Sequence, residues 1–347
     1  MTGQPGSARN DDAAAPVFLS VARSQIEALD RAVWRTRFRD PLELKQAADA
    51  LAASAPADSL AAALASFHHA WHRLALFDQT GAGELHAQAL AAFERHHYTP
   101  GIDRLRVVKA LILLRAGDSG AALAALDEPT RSNEEEPLAE ARYVALNIRA
   151  LCYGDLGDLD NAMRSFAAAL TAARQTGIPV FAANALGNFG GFHADIHNFE
   201  DAEQMCREAF ALADVAGARA PWVTSGTNWM LSLFFLGRPA EARDVALQLL
   251  AREAWLLPAK RSAYFTKFAA VFLHAGDLAE AAAFLDRAEV VADPGVTLRT
   301  VEWYWVCAEV RNAQGRHAEA FELCRQAIES GSDFDQVSLP TDLMRLY

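Results

Sequence analysis

The sequence predicts an all-α array of antiparallel helix pairs, and three observations carry that prediction. Small residues at Ala122, Ala162, Ala202, Ala242, Ala281 and Ala320 recur at intervals of 40, 40, 40, 39 and 39. A fixed period between about 20 and 50 residues marks a repeat array. Each landmark follows a turn position by five residues, and that position is Gly117, Gly157, His197, Gly237, Gly276 or Gly315. Hydrophobic residues make up 52% of the 347-residue chain, and alanine is the commonest of them. Alanine is the strongest helix former, and its small side chain lets helices approach closely. A stacked array also explains how a chain of this length stays folded without one oversized core.

In chain order, residues 1–16 are predicted to be a disordered tail, because they lack the basic start and apolar stretch of a signal peptide. Residues 17–100 are predicted to be degenerate helical repeats that cap the array. Within them, residues 18–38 read as one long amphipathic helix, and Asp40-Pro41 starts the next, with Asp as cap and Pro at the first helical position. Asp58 opens a third helix through His72 and Phe77. Gly81–Gly83 is expected to separate it from a fourth that ends near His97. Pro100-Gly101 marks the junction with the regular repeats.

Residues 101–335 hold those repeats. The clearest runs from Tyr143 to Gly177, with Leu146, Ala150 and Tyr153 on its first helix and Ala162, Phe166 and Ala169 on its second. Large and small residues alternate on the facing surfaces, so the two helices can close on each other. Two positions break the frame: Gly226 stands where a bulky residue is expected, and Arg311 where an aromatic is. Gly190 holds a small-residue position, as close helix packing requires. Pro129 ends one second helix, and Glu134-Glu135-Glu136 reads as a solvated loop.

This order of bulky, small, aromatic, turn, Ala, aromatic and Ala resembles the tetratricopeptide repeat (TPR). The usual TPR period is about 34 residues, so a period of 39–40 implies longer helices. The resemblance covers at least residues 103–330 and implies a right-handed superhelical solenoid. A second resemblance rests on Trp34, Arg37, Phe38, Asp40 and Pro41. The string is similar to one that opens the N-terminal TPR regions of bacterial GGDEF diguanylate cyclases, with Phe38 in place of tyrosine. It also reads as an ordinary Asp-Pro helix start. Residues 336–347 read as the first helix of a further repeat, cut short, so the activity of such a protein is expected beyond Tyr347.

Charge and motifs narrow the function. Lys+Arg 32 against Asp+Glu 44 gives a net charge of −12, which argues against nucleic acid or an anionic membrane as partner. No apolar run approaches the roughly 20 residues of a membrane span. Cys152, Cys206, Cys307 and Cys324 form no C-x-x-C pair, which fits buried thiols in a reducing, cytoplasmic setting. No phosphate-cradling loop, nucleophile elbow or H-E-x-x-H motif is present. Gly190-Gly191-Phe192-His193 is not a GGDEF motif, so no enzyme activity and no cofactor are expected. His68 and His72 have the i, i+4 spacing that can chelate zinc, but the region has no cysteine and no acidic ligand set. Its histidines read as a polar helix face, and no metal is expected. His193 and His197 sit on positions normally held by a core aromatic and a turn glycine, which suggests a pH-sensitive packing defect.

What remains is binding. The first helices of the pairs line the inner face of a TPR array. The candidate contact residues on that face are Asn147, Asn184, Asn188, Thr227, Asn228, Lys267 and Trp305. Asn188 and Asn228 stand 40 residues apart, and each amide both donates and accepts, which suits an extended peptide backbone. Lys267 is the only clear cation of the row, too few for a basic clamp on acidic peptides. Phe234, Phe235, Trp303 and Trp305 fit the core frame badly and suggest either an apolar groove or a homodimer contact. The expected function is non-catalytic protein or peptide binding. By resemblance it would serve as the sensory input of a cyclic-di-GMP synthase. A free-standing peptide receptor or assembly scaffold is the alternative.

Overall fold

A computed structural model describes residues 15–53, 56, 58–128, 139–291 and 301–331. Among the described residues there are sixteen α-helices and no strand. In chain order they are α1 (Ala15–Thr36), α2 (Pro41–Ala53), α3 (Leu60–Ala75), α4 (Gln79–Arg95), α5 (Thr99–Arg115), α6 (Ser119–Asp127), α7 (Ala139–Asp155) and α8 (Leu159–Gln175). They continue with α9 (Pro179–Asp195), α10 (Phe199–Val215), α11 (Arg219–Phe235), α12 (Pro239–Ala251), α13 (Arg261–His274), α14 (Leu278–Val290), α15 (Val301–Ala313) and α16 (His317–Gly331). Consecutive helices pack in pairs, as the all-α solenoid class requires. Residues 1–14 of the expected tail, the acidic run at 134–136 and the truncated final repeat lie outside the described residues, while Ala15 and Pro16, expected in the tail, begin α1.

The chain divides into two compact units. The first reaches Phe181 and also takes in Ala216–Ala218, and the second holds Ala182–Val215 and everything from Arg219 onward.

The structure resolves the 40-residue beat into two steps of 20. Helices α4, α5, α7, α8, α9, α10 and α11 each have 17 residues, so each is about 25 Å long. A left-handed residue follows helix after helix, at Phe77, His97, Gly117, Gly157, Gly177, His197, Gly217 and Gly237. The turn at Gly117 shows how three residues reverse the chain. Gly117 N–H donates to Leu114 C=O and Asp118 N–H to Leu113 C=O, both at 3.0 Å, a Schellman closure of α5. The Asp118 carboxylate then accepts from the Ala121 N–H at 2.9 Å and caps α6. Asp78, Asp158 and Asp277 repeat that cap.

The register therefore runs back to Phe77, one pair upstream of where glycines mark it. Gly81 and Gly83 do not separate two helices; both lie inside α4, and the break falls at Leu76–Asp78. Gly81 serves the cap instead, because its N–H donates to Asp78 at 2.8 Å and a Cβ there would meet that carboxylate at 2.4 Å. The third helix is capped by Ser59 rather than by Asp58, through the Ala62 N–H.

Close approach accounts for the glycine that broke the frame. A Cβ on Gly226 would stand 2.7 Å from the Phe210 ring and 2.9 Å from Leu249, so those side chains fill the space a bulky residue would take. At Gly190 a Cβ would stand 2.5 Å from Cys206 Sγ and 3.2 Å from its backbone nitrogen, which is the close α9–α10 packing expected there. All four cysteines are free and buried, and burial pushes the Cys206 and Cys307 thiols up to about 12.

Candidate functional site

Helices α9, α11, α13 and α15, the first helices of the pairs in the second unit, carry six of the seven candidate residues. Asn184 and Asn188 share a face of α9, and the Asn188 amide donates to Asn184 Oδ1 at a long 3.5 Å. Asn228 on α11 lies against the same helix, since its amide nitrogen is 2.8 Å from where a Cβ on Gly191 would be. The missing side chain at Gly191 is what admits that amide. All three asparagines are half-buried. They form a neutral patch of amides on two adjacent helices.

The other candidates behave differently. Lys267 on α13 donates to both carboxylate oxygens of Glu302 on α15, at 2.6 and 2.8 Å, so it ties two helices together. Thr227 is buried, with its hydroxyl donating to the Val223 carbonyl one turn back at 2.8 Å. Trp305 is only 6% exposed, and Trp303 is as well buried, so neither lines an open groove. The periodic frame misassigned both rings because α15 packs on more than one side. In the first unit, Asn147 is 7% exposed. The stripe that carries it is partly covered: Phe38, in the turn after α1, sets its ring 6.0 Å from Tyr143, one turn before Asn147, and 5.4 Å from Phe181.

Of the four aromatics that fit the frame badly, Phe235 is exposed and Phe234 half-buried. They belong to a ladder at one edge of the second unit, where Phe199 stacks on Phe235 at 4.8 Å and Phe234 meets His274 at 4.9 Å. His274 in turn reaches Glu309 at 3.2 Å.

His68 departs from the expected polar face, whereas His69, His72 and His86 are half-buried and His96 and His97 are exposed. His68 is fully buried, and its Nε2 bonds Asp30 Oδ1 at 2.7 Å. Arg104 completes the network by donating to Asp30 Oδ2 and, at 2.9 Å, to the Tyr98 hydroxyl. Burial works to raise the Asp30 carboxyl, but the His68 hydrogen bond and the Arg104 charge outweigh it and hold it below the usual range. Burial lowers His68, against the pull of Asp30. Among the described residues no three His, Cys, Asp or Glu side chains are placed to hold a metal ion. His193 is buried at its core position, and burial lowers it too. His197 occupies the turn position in the left-handed conformation, with φ at 61°.

One cluster in the first unit escaped the sequence reading. Arg37 is 4% exposed, and its guanidinium carbon lies 3.5 Å from the centroid of Trp34 and 4.1 Å from that of Trp71. The i, i+3 spacing of Trp34 and Arg37 signals a stacked pair. Trp71 comes from α3, and no local pattern announces it.

Residues 143–176 match the tetratricopeptide repeat family. The fold is similar to those of three solved structures. One is a Rap protein complexed with competence and sporulation factor, at TM-score 0.60 and 15% identity, covering 98% of this chain and 90% of the other. Another is NprR in complex with its cognate peptide NprX, at TM-score 0.56 and 11% identity, covering 81% of each chain. The third is PilW, a widely conserved type IV pilus biogenesis factor, at TM-score 0.50 and 18% identity, covering 70% of this chain and 98% of the other. No curated protein matches this chain by sequence. The chain thus carries a tetratricopeptide-type repeat at residues 143–176 within a fold like those of these structures, and among the described residues no helix is long and apolar enough to cross a membrane.

Proposed function

We propose that this chain is a non-catalytic receptor for an extended peptide, which lies along α9 and α11 of the second unit. The observation that carries the reading is the amide patch of Asn184, Asn188 and Asn228, half-buried on adjacent first helices. A peptide main chain presents donors and acceptors in alternation, and each carboxamide answers both. Partial burial holds the amides in place and leaves them an edge to offer. Two proteins with this fold were solved bound, one to its cognate peptide and one to competence and sporulation factor. Thr227 and Trp305 would support the face from below, and the Lys267–Glu302 pair would close its far end.

The test is a peptide selected from a random displayed library against the full chain. Asn228→Ala is expected to weaken it about tenfold, the effect of one backbone bond left unmade. An unchanged affinity would remove α11 from the site.

The wider setting follows the Trp34–Pro41 string, whose resemblance supports a cytoplasmic input region of a cyclic-di-GMP synthase. In that setting peptide occupancy would set the pairing of output domains. A free-standing receptor or scaffold is the second reading, favoured by the ladder of Phe199, Phe235 and Phe234, in which Phe235 is exposed and the other two half-buried, and which could join two copies. Phe235→Glu should then convert a dimer to a monomer in light scattering after size exclusion.

A further inference from the structure

The first unit contains a cluster of buried hydrogen-bond donors for which the described residues supply no acceptor. All three guanidinium nitrogens of Arg37, and the indole nitrogens of Trp34 and Trp71, are buried without a hydrogen-bond partner. The three side chains touch, with the two indoles 6.3 Å apart edge to face. Phe38 adds a third ring, 4.6 Å from the guanidinium carbon. Aromatic faces attract the cation, but they offer no lone pair to its N–H edges.

Among the described residues no carboxylate is hydrogen-bonded to Arg37. Asp30 is the buried carboxylate of this unit, and its two oxygens are taken by His68 and Arg104. Glu140 and Tyr143 attract Arg37 from beyond hydrogen-bonding range, while Arg104 repels it. Burial pulls the guanidinium down to about 9, which still leaves it charged at neutral pH. A buried cation with its donors unpaired costs the fold several kcal/mol in general terms, and such a cost persists where a ligand recovers it. Arg37 lies in the turn between α1 and α2 rather than inside a helix.

We propose that Trp34, Arg37 and Trp71 form a carboxylate-binding site. The guanidinium fork would take both oxygens of a planar, singly charged carboxylate, and the rings would wall it with apolar surface. A doubly charged phosphate fits those walls less well. The site stands in the first unit and does not depend on the amide patch, so either reading can fail alone.

The full-length chain, labelled with nitrogen-15, is titrated with sodium acetate and separately with sodium phosphate at fixed ionic strength and neutral pH. The indole N–H resonances of Trp34 and Trp71 are followed, assigned from Trp34→Phe and Trp71→Phe. Acetate should move both saturably and at lower concentration than phosphate. Arg37→Gln should abolish the response. Arg37→Lys, which keeps the charge and loses the fork, should weaken it by about tenfold. Circular dichroism checks the helix content of each variant, and Arg37→Lys carries the test if Arg37→Gln does not fold. Three results would overturn the site: indole resonances unmoved up to about 100 mM acetate, an equal response in the Arg37 variants, or phosphate saturating before acetate.

Discussion

The two units use one scaffold rule for opposite ends. Both contain 17-residue helices, left-handed residues at helix ends and aspartate caps, such as Asp118 in the first unit and Asp277 in the second. In the first unit the stripe bearing Asn147 is covered by the chain's own Phe38, and buried charges knit α1, α3 and α5 together. In the second unit the corresponding stripe carries half-buried amides, and its one strong charge pair, Lys267–Glu302, bridges neighbouring first helices. A repeat scaffold therefore fixes where a face lies, while the side chains on it decide whether that face is buried under the chain's own rings or stays half-buried.

Breaking the buried network should produce the largest effect. Arg104→Met leaves Asp30 buried with only His68 and should cost about 3–5 kcal/mol in urea unfolding, whereas Lys267→Met in the second unit should cost about 1 kcal/mol or less, because its pair is partly solvated. Similar losses for both would erase the contrast.

Packing in the second unit is tested next. Gly226→Leu restores the bulky residue of the repeat frame but collides with Phe210 and Leu249, at an expected cost of about 1–3 kcal/mol. Adding Phe210→Ala should return part of that loss, and a double variant less stable than the sum of the singles would contradict the assigned contact.

The left-handed turns separate the units more finely. His197→Gly should raise stability by about 1 kcal/mol, since a side chain in that conformation is strained. Phe77→Gly should gain less, because its ring stacks on the Arg115 guanidinium at 4.8 Å. Thermal melts of the two variants give the order.

Acid sensitivity is the smallest effect. The unfolded chain protonates His68 near its ordinary value of 6.5, while the folded chain resists until lower pH. Stability should therefore fall as pH drops from about 6.5 to the lowered folded value, and not change on this account above 6.5. Asp30, held below 3.8 when folded, adds a second loss as pH falls through its folded value. His68→Gln should reduce the first slope, to which the lowered His72, His86 and His193 also contribute, and an unchanged slope would place it on those groups.

Much of the fold was legible because glycine at a left-handed turn is both physically favoured and visible, so Gly117, Gly157 and Gly237 set the frame. Phe77 and His97 take the same conformation without glycine, and the frame was lost there for that reason alone. The candidate site was legible only in part. Periodicity placed the asparagines of α9 and α11 on one face, but it could not see that Gly191 admits Asn228 or that α15 buries Trp305. The Asp30–His68–Arg104 network joins residues 38 and 74 positions apart, and the Arg37 cluster needs Trp71 from another helix. No local pattern encodes such meetings.

The central claim is that a peptide lies on α9 and α11. Hydrogen–deuterium exchange of the full chain, with and without a library-selected peptide, tests it directly. The account predicts new protection concentrated in 184–191 and 224–232. Protection confined to the first unit, or to the edge formed by Phe199, Phe234 and Phe235, would contradict it.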